Sequence, residues 1–69
     1  MYLHDAMVEV LRKRSGRRAH RADIADAINR GRLFVRRDGG PLPPNQVSAR
    51  ASKYRDLFRV LGDGFIALR

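Results

Sequence analysis

The chain has 69 residues, no cysteine, and 15 Lys and Arg against 7 Asp and Glu, for a net charge of +8. A chain this short supports one domain with a simple core, because it buries only roughly 60% of the surface it exposes when unfolded. The composition excludes a disulfide framework and a thiolate metal site, and no apolar run approaches the roughly 20 residues of a membrane span.

The opening MYLHDAMVEVL has acids where a secretory leader would be basic, so a leaderless, cytoplasmic and nucleoid-associated protein is expected. The charge points to a polyanionic partner, most often nucleic acid. Thirteen of the 15 basic residues are Arg, which a GC-rich genome enriches without functional pressure, so charge alone is a weak sign.

Leu3, Met7, Val10, Leu11 and Arg14 fall on one stripe with Ala6 beside it, which predicts a first helix over Leu3–Arg14. Asp5 and Glu9 near its start and Arg12, Lys13 and Arg14 near its end suit the helix dipole. Ser15-Gly16 predicts the stop, with Gly16 as a left-handed cap. Arg17–His20 is a short connection in which Ala19 can add ladder bonds to a sheet formed elsewhere. His20 is predicted to cap a second helix, Arg21–Arg30, with Asp23 in its first turn, Ile24, Ala25 and Ile28 buried, and Gly31 ending it. Residues 32–40 read as a loop with Leu33 and Val35 inward and Arg36, Arg37 and Asp38 outward, closed by an Asp38-Gly39-Gly40-Pro41 turn.

Pro41–Arg55, PLPPNQVSARASKYR, organises the rest. Pro43 and Pro44 suit a helix start, and Val47, Ala51 and Tyr54 recur as a buried stripe over a helix from 44 to 54. Phe58–Leu68 then reads as a hairpin around Gly62-Asp63-Gly64. Alternation puts Phe58, Val60, Ile66 and Leu68 on one face and Leu61 and Phe65 on the other. The predicted fold is α+β: a winged helix-turn-helix of three helices plus a small antiparallel β-hairpin wing, as a single domain over residues 1–69.

The chain resembles the HARE-type helix-turn-helix family of winged-helix domains. The resemblance rests on Leu3, Ala6 and Val10-Leu11; on Ala19-His20, Ile24-Ala25 and Ile28; and on Gly31 and Leu33. It continues through Val47-Ser48-Ala49-Arg50 and closes with Phe58-Arg59-Val60, Gly64 and Ala67-Leu68, covering nearly the whole chain. It implies DNA binding, often as a targeting module attached to an enzyme or chromatin complex, and a structural as well as a DNA-contacting role for Arg50.

The expected recognition surface lies on the third helix. Asn45 and Gln46 carry amides that can pair with adenine, against the plainer role of polar helix-start residues. Ser48, Ser52 and Lys53 suit phosphate or water-mediated contacts, and Ala49 lets the backbone approach the groove. Arg50, at the edge of the buried stripe, is expected to pair with Asp23, Asp26 or backbone carbonyls. Arg12, Lys13, Arg14, Arg17, Arg18 and Arg21 form a basic cluster that either clamps phosphates or is a solvated rim, and Arg36 and Arg37 suit phosphates just before the third helix. The wing tip is acidic at Asp63, so the wing is expected to support rather than probe, with Arg59 or Arg69 giving at most backbone contact.

His4 and His20 lie on separate elements, and Ser15, Ser48 and Ser52 lack an evident His–acid set, so no catalytic residue, metal or cofactor is expected. The leading expectation is a double-stranded DNA-binding module or regulator. The alternative is a protein-interaction module docking a partner or a second copy through Phe34, Leu61 and Phe65. Single-strand or RNA binding ranks third, because only five aromatics are present and the core needs most of them.

Overall fold

Helix α1 (Leu3–Arg12) buries Leu3, Ala6, Met7, Val10 and Leu11, the apolar stripe read from the sequence. The structure, a computed structural model, describes residues 1–69. The helix stops two residues before the predicted Arg14: Lys13 caps it, and Arg14 is extended and exposed instead of joining the buried stripe. Gly16 is left-handed as expected, but within a separate 3-10 turn, Ser15–Arg17, where Arg17 (φ 54) is left-handed too. The chain must reverse here within a few residues to bring Ala19 onto the sheet, and a longer α1 would overshoot it.

Strand β1 (Arg18–His20) is short, and His20 Nδ1 accepts from the Ala22 N–H at 3.1 Å, so it caps helix α2 (Arg21–Gly31) as predicted. Ile24, Ala25 and Ile28 are buried. Gly31 is the last helical residue, and Arg32 (φ 50), not glycine, takes the left-handed position after it. The Leu33 N–H reaches the Ile28 carbonyl at 3.1 Å and the Arg32 N–H the Asn29 carbonyl at 3.4 Å, a Schellman closure. A Cβ at Gly31 would lie 3.4 Å from Leu33 Cγ, at the edge of ordinary contact, so neither backbone nor packing demands glycine there. Left-handed backbone strains any L side chain, so Arg32→Gly is expected to raise stability by about 0.5 kcal/mol, after the extra freedom it gives the unfolded chain is deducted. Denaturant midpoints check this; a lower midpoint would show that the Arg32 side chain outweighs the strain.

Helix α3 (Pro44–Lys53) buries Val47 and Ala51 completely, with Tyr54 half-buried at its end. It is followed by β2 (Phe58–Val60) and β3 (Phe65–Leu68). The sheet has three antiparallel strands in the order β1-β3-β2, so β3 is central and Ala19 does supply the third strand. The register pairs Phe58 with Leu68 and Val60 with Ile66, as alternation predicted. At the turn the positive φ angles fall on Asp63 (59) and Gly64 (83). Gly64 cannot be replaced easily, since a Cβ would sit 2.7 Å from His20 Nε2.

The core joins all three helices to the inner face of the sheet through Leu3, Met7, Leu11, Ile24, Ile28, Val47, Phe58 and Ile66. Three side chains depart from expectation. Val35, predicted inward, is 64% exposed, and Leu42 fills the interior instead at 3%. Val60 shares a face with Phe58 yet is 45% exposed, because it lies at the end of an edge strand. Phe34 is not free on the surface; it is half-buried and packed on the core.

Candidate nucleic-acid interface

Asn45, Ala49, Ser52 and Lys53 form one exposed stripe on α3, opposite the buried Val47 and Ala51. Their spacing of four, three and one residues keeps them on one side of the helix. No residue of this helix is acidic. The two shoulders of the stripe are engaged differently. Gln46 is half-buried and shares a shallow concavity with Phe34, Arg36, Arg37 and Asp38. Ser48 faces α2, where its Oγ accepts from Arg21 Nη1 at 3.5 Å.

The segment before α3 is held by Asn29. Its Nδ2 donates to the Leu42 carbonyl at 3.1 Å, and its Oδ1 accepts the Leu42 N–H at 2.8 Å. A side-chain amide thus replaces a strand neighbour for one buried residue and fixes where Pro43-Pro44 begins the helix. Sequence reading missed both Asn29 and Leu42; the signal available was an amide in the last turn of α2 and a lone leucine among prolines. Arg36 reinforces the same loop, donating to the Pro41 carbonyl at 3.2 Å and pairing with Asp38 at 3.2 Å. Arg37, by contrast, is exposed and unpaired.

Arg50 meets neither Asp23 nor Asp26; Asp26 pairs with Arg30 at 3.1 Å. Its guanidinium instead lies 6.0 Å from the Tyr54 ring centroid. Tyr54 stacks on His4 at 4.2 Å, and His4 stacks on Tyr2 at 5.6 Å, so a column of three rings and a cation ties α1 to the end of α3. Stacking replaced the expected ion pair because Arg50 and Tyr54 are four residues apart on one face.

The basic cluster predicted around helices one and two divides. Arg21 adjoins α3 through Ser48, and Arg17 sits in the 3-10 turn. Arg18 lies in β1, paired with Ala67, on the side of the sheet away from the helices. Of the 15 basic side chains only Arg12, Arg30 and Arg36 pair with a carboxylate, which leaves most of the positive charge unneutralised. No cluster of three or more His, Cys, Asp or Glu has metal-binding geometry, and no helix is long and apolar enough to cross a membrane.

Three helices, the third packed against the second, and a three-stranded antiparallel sheet ending in a two-strand wing define an α+β winged helix-turn-helix. No protein-family model matches the chain, and neither does any curated protein or solved structure.

Proposed function

We propose that this domain binds double-stranded DNA, with α3 in the major groove. The observation that carries the reading is the acid-free outer stripe of α3, which ends in unpaired Lys53, on a protein of charge +8 that also leaves Arg37 unpaired in the preceding loop. In this reading Asn45 meets a base edge, Ala49 permits close approach, and Ser52 and Lys53 contact the backbone. Gln46 reads from the loop side of the helix. Arg21 and Ser48 hold one shoulder, from which Arg21 can also reach phosphate, and Arg17 supplies a further phosphate contact. Arg36 positions the loop that presents Arg37. The likeness to HARE-type helix-turn-helix domains, carried by Val47-Ser48-Ala49-Arg50 and the wing residues, is part of the same proposal.

The test is equilibrium binding to a random-sequence duplex at low salt, where basic domains bind most tightly; absence of binding there overturns the reading. Asn45→Ala is expected to relax sequence preference at one base-pair position by about tenfold while leaving overall affinity nearly unchanged. Selection from a duplex library reads this directly, and an unaltered preferred site removes Asn45 from the base-reading set. The protein-adaptor alternative loses ground because Phe34 packs on the core, leaving Leu61 and Phe65 as neighbours on the sheet.

A further inference from the structure

The side of the sheet that faces away from the helices is built from its own set of residues. Cross-strand partners in an antiparallel ladder point to the same side. Ala19, Ile66 and Val60 form one row, and with Phe58 and Leu68 they define the side toward the core. The alternate row is Arg18–Ala67–Arg59, and the next is His20–Phe65, extended by Leu61, whose N–H donates to the Phe65 carbonyl at 2.8 Å. Burial agrees with this assignment. Ala67 is only 8% exposed yet stands outside the core cluster that contains Ala19, Phe58 and Ile66. Its cross-strand neighbours are the two arginines.

Arg18 and Arg59 are exposed and make no ion pair or side-chain hydrogen bond. Arg69 follows β3, two residues beyond Ala67; its Nε donates to the Arg55 carbonyl and its N–H to the Leu57 carbonyl, so a third guanidinium is fixed just past the end of the central strand. The nearest acids in the chain, Asp56 and Asp63, pair with none of the three. Beside the arginines, on the central strand, Phe65 is 40% exposed. Its ring stands at 86° to His20 with centroids 5.3 Å apart. His20 in turn is fixed by its bond to the Ala22 N–H and by its contact over Gly64. The aromatic is therefore already ordered before any ligand arrives.

We infer that this outer face binds single-stranded nucleic acid, one base lying on the Phe65 ring and the adjoining phosphates meeting Arg18, Arg59 and Arg69. An ordered aromatic on a sheet beside unpaired cations is what sequence-tolerant single-strand binding uses. A duplex does not fit the same chemistry, because its bases are stacked on one another and offer no face to Phe65. The strands lie about 4.8 Å apart, so the three-stranded face spans on the order of two or three nucleotides. This surface is separate from the α3 stripe, and the inference does not depend on the duplex reading.

The chain has no tryptophan, so Phe65→Trp introduces a single indole at the stacking position, excited selectively over the two tyrosines. Titration of that variant with an oligo(dT) of about eight nucleotides is expected to quench its emission, and the corresponding duplex is not. In anisotropy with labelled oligo(dT), Phe65→Ala is expected to weaken binding by about tenfold. Arg18→Ala and Arg59→Ala are each expected to reduce the salt slope by about 0.7. All three positions lie outside the core, and a thermal melt of each variant confirms its fold. Arg30→Ala, which removes a cation paired with Asp26 on α2, should leave oligo(dT) binding unchanged. The inference is overturned if oligo(dT) fails to bind the wild type at low salt, or if it binds the Phe65→Trp variant without quenching the introduced indole. Equal quenching by duplex, or self-association lost in Phe65→Ala without oligo(dT) binding, also overturns it.

Discussion

Asn29→Ala is expected to lower stability by about 2–4 kcal/mol, because it leaves two partly buried backbone groups of Leu42 without partners at a cost of about 1–3 kcal/mol each. In a domain of this size that corresponds to a fall in Tm on the order of 15 °C. Asn29→Asp separates the two bonds: its carboxylate can still accept from the Leu42 N–H but has nothing to donate to the Leu42 carbonyl. Its loss should fall between wild type and alanine. Thermal and chemical denaturation measure both, and an alanine variant within about 0.5 kcal/mol of wild type would show that the clamp is idle. Because Leu42 stands just before Pro43-Pro44, loosening the clamp also frees the start of α3. Duplex affinity should therefore drop even at temperatures where the variant remains folded.

Duplex binding should weaken by about 150-fold between about 50 and 200 mM salt, if about four phosphates are neutralised, since the logarithmic slope is close to 0.9 per phosphate. The side chains invoked are Lys53, Arg37, Arg21 and Arg17, none of which pairs with a carboxylate. Lys53→Ala and Arg37→Ala should each reduce the slope by about one and weaken all sequences alike. Arg36→Ala should act differently, because Arg36 is occupied by the Pro41 carbonyl and Asp38. It should cost stability more than salt dependence. A slope unchanged in both Lys53→Ala and Arg37→Ala would remove these residues from the interface. Equal slope losses for Arg36 and Arg37 would mean that the Asp38 pair opens on binding.

Much of this domain is legible in its sequence, and the reasons are local. The α1 and α2 stripes, the His20 cap, the Val47–Ala51 face of α3 and the wing register follow from helical and alternating periodicity, which bury apolar side chains on one side. The exposed stripe Asn45, Ala49, Ser52 and Lys53 follows from the same periodicity, as its complement. Boundaries were less legible: Arg14 missed its place on the buried stripe, and the left-handed cap after Gly31 fell on Arg32, because helix ends are set by where the chain must go next, not by the helix itself.

What tertiary structure alone decided is which distant residues became neighbours. Asn29 reaching Leu42, Arg21 reaching Ser48, and Arg50 joining the Tyr54–His4–Tyr2 column are contacts between separate elements, and no sequence period encodes them. The sheet is the clearest case. Arg18 and Arg59 stand far apart in the chain, and in sequence Arg18 reads as a member of the basic cluster between Arg12 and Arg21. Pairing of both strands with β3 puts the two arginines on either side of Ala67 and beside Phe65. By itself the sequence determined a basic, three-helix domain with a wing, because charge and period are properties of neighbouring residues. Only the fold decided that its cations divide between a helix and the far side of a sheet, because strand pairing joins residues that the sequence keeps apart.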